Sequence, residues 1–464
     1  MNLRTEEIVA RIESALRNAT HEECELVLQG GRTSLTRFAE GEIHQNVEES
    51  RLLLRARVCQ TTWSASPRVR MGSGATTDLS DDGIATALDK AAELASFAPE
   101  REEYPGLAPP GAAAGGSSVP YTGHHDRATA ESDAGFRANE VARAILPAMR
   151  MGYSAAGYYR IVEGGFGEYG NPQTIAVGNS IGVRQVYVPT TVDMMCAVST
   201  PGGGTGWAVA WGVSREHVDA EAVGRTAYEK ARASERPVML APGDYRVLLE
   251  PAAVAELIRF LIPSFSLRAV REQRSIFHSR WGGRMAAEQV HLTANPHHEL
   301  LRLRPFDDEG LESMTLPLLE AGFHRELTVG WTEARALQRP SNGYSPLQPS
   351  AADAVPRGLV LSGGQGTVDD LQRRHPDCLR ITRLWYNRFV NPLLTTVTGM
   401  TRDGFFEMRG ADIYRALVNM RYNVNVFELL NQTLDMSEGV RMGDTVVPAL
   451  VCDGFTLSSS TVST

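Results

Sequence analysis

No stretch of this chain approaches the roughly twenty consecutive apolar residues that a bilayer-crossing helix needs, so no membrane span is expected. Cysteine is scarce and scattered. The five thiols, Cys24, Cys59, Cys196, Cys378 and Cys452, are odd in number, far apart and without a C-x-x-C pair, which excludes a disulfide framework and a paired-thiolate metal or redox site. They read as reduced, mostly buried thiols. Basic charge is not in excess either: 46 Lys and Arg against 55 Asp and Glu give a net charge of -9. The two signs are interspersed, so no broad cationic face offers itself to a phosphate backbone, and nucleic acid is not expected as a ligand. Also missing is H-E-x-x-H, the zinc-peptidase helix in which two histidines one turn apart hold the metal. The nearest approach is "HHELLRL", His297 to Leu303, but four and five residues after His298 stand Arg302 and Leu303. A guanidinium cannot close a zinc site. Pro296 before the stretch and the leucines within it predict a partly buried strand or short turn carrying surface histidines.

What is present is ordinary globular usage, 42% hydrophobic and 22% charged over 464 residues, room for roughly two or three domains. At the start, Ile8, Ile12 and Leu16 recur at helical spacing behind an acidic first turn, unlike the uninterrupted apolar core of a signal peptide. A cytoplasmic location follows as an expectation. Next, "CELVLQG", "SLTRFAEGEIHQNVEE" and "SRLLLRARVCQ" alternate in the manner of an antiparallel meander, with Gly30-Gly31 and Glu40-Gly41 as breaks. A helix is predicted over Leu79 to Phe97, with Ser80 and Asp81 as cap candidates and Ile84, Leu88, Ala91 and Leu94 on one face. The Pro-, Gly- and Ala-rich residues 98–126 lack periodicity and read as a long surface loop. A further helix runs from Ala128 to about Leu146, stopped or kinked by Pro147. Strand-like sequence follows up to "GWAVAWGVS", then a helix at Asp219 to Ala233. After one more helix at Ala252 to Leu261, short strands and turns dominate. The fold class expected is α+β: an N-terminal antiparallel sheet with packed helices over residues 1–235, then a β-rich C-terminal domain over 236–464.

Three further motifs carry chemistry in other proteins. Gly178, Ser180 and Gly182 satisfy G-x-S-x-G, yet that nucleophile elbow requires a strand, a sharp turn and a helix. Here strand-like residues flank it on both sides, which predicts a hairpin turn. "FDDEG", Phe306 to Gly310, gathers three carboxylates without the alternating ligands of a calcium loop, and solvated turn acids are expected. The glycine clusters "TPGGGTGW" and "LSGGQGTVDD" lack the Lys-Ser/Thr of a phosphate-binding loop and read as turns.

Six segments occur together in one order: "TSLTRFAEGEIHQNVEES", "NSIGVRQVYVPT", "YRVLLEPAAVAELIRFL", "PFDDEGLESMTLPLLEAGF", "ARALQRPSNGY" and "VNPLLTTVTG…GFFEMRG". In order and spacing they resemble the TldD/PmbA (modulator-of-gyrase) family from about residue 5 to 460. That family pairs a TldD-type zinc peptidase, with an H-E-x-x-x-H helix after a "VLL" strand and a late cysteine ligand, with a PmbA/TldE-type subunit lacking the metal site. At the helix position this chain has Glu250, Pro251, Ala252, Ala253 and Val254, and no histidine follows until His278. "SEGVRMGDTVVP" holds no cysteine; Cys452 comes later, in an apolar strand. The resemblance is therefore to the PmbA/TldE partner. It implies a heterodimer with a TldD-like subunit that carries the zinc, no catalytic or metal-binding residue and no cofactor in this chain, and a peptide or peptide-like substrate, which includes biosynthetic amide conjugates. For contacts with that substrate the richest stretch is "LWYNRFVNP", where Trp385, Tyr386, Asn387, Arg388 and Asn391 combine stacking surface with directional donors. Two other classes of reading are a stand-alone ligand-binding homodimer and a serine hydrolase using Ser180.

Overall fold

A computed structural model describes residues 5–21, 23–62, 68–101, 106–113, 125–165, 173–348 and 352–460. It has the expected α+β character. Among the described residues no helix is long and apolar enough to cross a membrane. Parts of the loop predicted at 98–126, residues 102–105 and 114–124, lie outside the described residues, as do residues 166–172 within the strand-like sequence that follows.

The N-terminal half is built on an eight-stranded sheet: β1 (Glu23–Ala39), β2 (Glu42–Thr62), β3 (Arg68–Thr76), β4 (Ser154–Gly164), β5 (Thr174–Asn179), β6 (Arg184–Val186), β7 (Thr190–Ser199) and β8 (Thr205–Gly212). Its order is β3-β2-β1-β4-β7-β8, and β5, which pairs with β6, also pairs with the first part of β1. Glu40 and Gly41 make the β1–β2 turn with φ of 54° and 80°, the left-handed pair that matches strand twist in a two-residue hairpin. Gly30-Gly31, expected as a break, does not end the strand. β1 runs through it, and there the chain hands over from pairing with β5 to pairing with β4. A Cβ on Gly31 would stand 2.1 Å from the Glu163 carbonyl oxygen, so only glycine allows that approach.

One face of this sheet is covered by helices. α1 (Thr5–Asn18) and α2 (Asp81–Phe97) bury Ile8, Ile12, Leu16, Ile84, Leu88 and Ala91 against β1, β2 and β5. Ser80 caps α2 by accepting the Gly83 N–H. α3 (Arg127–Ala130), α4 (Ala134–Met149) and α5 (Ala220–Ala233) complete the N-terminal helices, and α4 and α5 cover β4, β7 and β8. The helix predicted from Ala128 to Leu146 is thus interrupted early, where Asp133 accepts the Phe136 N–H and restarts it. Pro147 does not stop it at once; α4 runs two residues past the proline, to Met149.

The C-terminal half carries two sheets. The first is six-stranded, in the order β12 (Phe323–His324), β11 (Leu316–Glu320), β10 (Leu292–Ala294), β13 (Leu359–Leu361), β20 (Thr445–Val447), β19 (Val440–Met442). The second runs β14 (Leu379–Asn391), β9 (Gly243–Leu249), β21 (Leu450–Ser460), β17 (Met420–Asn425), β15 (Thr396–Arg409), β16 (Asp412–Ala416), with β18 (Thr433–Met436) on β21. Because β14 also pairs with β15, five of these strands close on themselves. Their apolar side chains share one core with α6 (Pro251–Ile258), which follows β9 directly. The uncovered face of the N-terminal sheet packs against this half.

Candidate functional site

Strand alternation sorts β4 and β8 into two faces. Tyr159 and Ile161 of β4 and Ala208 of β8 enter the helix-side core, while Tyr158, Arg160, Trp207 and Trp211 face the other way. Arg160, Asp193 and Trp211 stand in one cross-strand row. Arg160 donates to the nearly inaccessible Asp193 over 2.8 Å, and its guanidinium lies 5.5 Å from the Tyr158 ring and 6.0 Å from the Trp211 ring. Burial pushes the Asp193 carboxyl above its ordinary range, with Arg160 opposing. Tyr158, Arg160, Trp207 and Trp211 floor a groove of about 690 Å³.

The facing wall comes from β14 and α6. The β14–β15 register shifts between Trp385 and Arg388, and inside that bulge Tyr386 takes a φ of 56°. Bulges re-aim side chains, and left-handed backbone at a bulky residue persists only where the surroundings impose it. Arg383 lies between two indoles, 4.6 Å from Trp207 and 4.9 Å from Trp385, and Arg402 covers Trp385 at 4.6 Å. The resulting ladder, Trp207–Arg383–Trp385–Arg402, ties the N-terminal sheet to the bulge by cation–π contacts. Asn387 donates to Glu256 over 2.9 Å and accepts the Tyr422 hydroxyl over 2.7 Å. Gly399 makes room for it: a Cβ there would stand 2.3 Å from the Asn387 side-chain oxygen.

Of the five residues singled out from the sequence, Trp385, Tyr386 and Asn387 line this groove. Trp385 is 44% exposed and Tyr386 72% exposed, large apolar surface left to solvent. Arg388 and Asn391 are not brought to it. Arg388 is exposed beyond the bulge, and Asn391 accepts the Leu394 N–H in the β14–β15 turn. Sequence reasoning passed over the floor. Its available signal was "WAVAW", where two tryptophans four apart on a strand share a face.

Among the described residues of α6, all are buried except Ala252 and Glu256, which with Arg259 just beyond form the stripe facing the groove. That stripe offers a metal one carboxylate. At the head of the helix, buried Glu250 accepts from Lys230 of α5 at 2.6 Å and from Arg380 of β14 at 2.7 Å. Burial alone pushes its carboxyl up, but the two cations outweigh it and hold the pKa at about 2. Cys452 is fully buried in β21, and desolvation pushes its thiol well above the ordinary range.

The other motifs resolve into structure. Ser180 sits in the β5–β6 hairpin turn, as its flanks predicted; its backbone N–H donates to the Cys24 carbonyl and its hydroxyl accepts the Cys24 N–H. "HHELLRL" forms turns, with the His297 ring 2.7 Å from the Ser313 carbonyl oxygen. "FDDEG" departs from expectation: its acids are not solvated. Asp307 and Glu309 are inaccessible, because the loop is inserted between the sheet and the C-terminal half. Asp307 accepts the N–H groups of Glu309, Leu311 and Ser345. Arg57 of β2 donates to both Glu25 and Glu309, at 2.8 and 3.3 Å. Burial, then repulsion from Glu309, pushes the Asp307 carboxyl up to about 7.

Residues 242–459 match the PmbA/TldA metallopeptidase C-terminal domain. No curated protein matches the chain. Among solved structures, a Thermotoga maritima protein named as a modulator of a DNA gyrase shares 15% identity at a TM-score of 0.78, covering 98% of this chain and 100% of that one. TldE from Thermococcus kodakarensis shares 17% identity at a TM-score of 0.77, covering 98% and 99%. A Bacteroides thetaiotaomicron protein named in the same way as the first shares 14% identity at 0.73, covering 98% of each chain. These likenesses extend the family's fold over both halves of the molecule. Residues 242–459 therefore carry the C-terminal domain of the PmbA/TldA metallopeptidase family, and the chain shares the fold of these solved structures along its whole length.

Proposed function

We propose that this chain is the non-catalytic, TldE-like subunit of a cytoplasmic two-subunit zinc metallopeptidase. Its groove holds an extended peptide, or a peptide-like amide conjugate, while a TldD-like partner supplies the zinc and the hydrolytic chemistry. The observation that carries this reading is the groove face of α6. A catalytic zinc requires three protein ligands and an open position. Ala252, Glu256 and Arg259 provide a single carboxylate, already bonded to Asn387. Among the described residues no group of three or more His, Cys, Asp or Glu side chains is placed to hold a metal. The described residues on that face of α6 do not fit a resident zinc, which supports the reading.

The groove does fit a binding role. Trp385, Tyr386, Trp207 and Trp211 offer stacking surface, and Glu256, Asn387 and Arg160 give direction. A wall of this kind excludes water and fixes an extended chain without touching the scissile bond. Co-expression with a TldD-like protein tests the reading. The expected result is a heteromer that cleaves peptides while this chain alone does not. A chain that stays homodimeric in the presence of such a partner overturns it.

A further inference from the structure

Past Arg160, Trp211 and Arg259 the groove leads into a second cavity of about 260 Å³, between the N-terminal sheet and the C-terminal half. Six arginines line it: Arg160, Arg259, Arg302, Arg304, Arg357 and Arg441. They come from distant parts of the chain. The Tyr187 hydroxyl helps to hold them together by donating to the Arg302 carbonyl over 2.5 Å.

Only three of the six arginines have a directly paired carboxylate. Asp193 pairs with Arg160 at 2.8 Å, Asp308 with Arg304 at 2.7 Å and Asp444 with Arg259 at 3.2 Å. Among the described residues no carboxylate lies within ion-pair distance of Arg302, Arg357 or Arg441. Their guanidinium groups donate to neutral acceptors instead: Arg302 to the Glu299 carbonyl, Arg357 to the Phe306 carbonyl and the Ser313 hydroxyl, Arg441 to the carbonyls of Leu300 and Gly443. The remaining acid near Arg357, Asp307, is engaged by three backbone N–H groups. Burial lowers the pKa of Arg357 and of Arg441 to about 10, so both stay protonated at neutral pH.

Arg357 and Arg441 are desolvated and have no directly paired carboxylate, only the more distant Asp307 and Asp308, and Asp193 and Asp444, and such burial of charge is costly. A bound anion relieves that cost, and guanidinium groups suit the paired oxygens of a carboxylate. The volume is below that of a typical whole-ligand pocket, which starts at about 300 Å³, and suits one end or one side chain of a ligand lying in the groove. We propose that this cavity is an anion subsite that receives a carboxylate of the bound peptide, either its C-terminal group or an acidic side chain. The inference rests on the reading of the groove as a peptide site.

The test uses the full chain and three synthetic peptides of one unstructured sequence: a free C-terminus, an amidated C-terminus, and an amidated C-terminus with one internal glutamate. Calorimetric titration is repeated with Arg302→Gln and Arg441→Gln, whose folding is checked by thermal melting. At least one carboxylate-bearing peptide should bind tenfold or more tighter than the neutral one, and which of the two does so names the source of the anion. That advantage should fall in both variants and with added salt. Equal binding of all three peptides, or an advantage that survives in both variants, overturns the inference while leaving the groove reading intact. Binding of none sinks the groove reading and the inference with it.

Discussion

Replacing Glu250 by Gln removes one negative charge from a buried triad and leaves Lys230 and Arg380 facing each other at the junction of α5, α6 and β14. In the folded protein the Glu250 pKa is held at about 2, against an ordinary 4.5. Each pKa unit corresponds to about 1.4 kcal/mol, so the ionised carboxylate contributes ~3 kcal/mol of stability at pH 7. Breaking a buried pair by removing one partner typically costs ~3–5 kcal/mol, in agreement. The sign follows from the depressed pKa: the contribution is fully present above 4.5 and is lost as pH falls toward about 2. Urea unfolding of wild type and E250Q, followed by tryptophan fluorescence at several pH values, measures it. The variant should be less stable by ~3 kcal/mol at pH 7, and the gap should narrow only below about pH 4. A difference under ~1 kcal/mol at pH 7, the range of an exposed pair, would refute the reasoning.

Arg57→Met strands the inaccessible carboxylates of Glu25 and Glu309, and should destabilise the chain by ~3–5 kcal/mol in the same unfolding assay. Asp307→Asn turns an acceptor for the Ser345, Glu309 and Leu311 N–H groups partly into a donor; a loss of ~1–3 kcal/mol is expected, read by thermal melting. Trp385→Ala opens the cation–π ladder on the groove wall: binding of a fluorescein-labelled unstructured peptide should weaken about tenfold, ~1.4 kcal/mol, with the melting temperature moved by less than about 2 °C.

Features set by near neighbours were legible in the sequence. Ser80, followed by apolar residues at helical spacing, announced α2, and Glu40-Gly41 announced a hairpin whose two turn residues do adopt positive φ. Strand on both sides of Ser180 argued for a turn, and a turn it is. Features set by distant partners were not legible. "FDDEG" reads as a solvated turn because Arg57, which partners Glu309, lies 252 residues away. The arginines of the cavity are interspersed with acids along the chain, and only the packing of the two halves gathers them. Trp385, Tyr386 and Asn387 stood out as a polar-aromatic run, but Arg388 and Asn391 were inseparable from them until the bulge in β14 set their directions. Gly30-Gly31 shows the same limit from the other side: the residues signal unusual backbone, and tertiary pairing decides that it is a hand-over within one strand rather than its end.

The central claim is that this chain lacks the donors for a catalytic zinc and works beside a subunit that has them. Metal analysis of the purified chain, alone and after co-purification with a TldD-like partner, addresses it directly. The account predicts zinc well below one equivalent in the lone chain and about one per heteromer in the complex. Stoichiometric zinc in the chain by itself, accompanied by peptide hydrolysis, would contradict it.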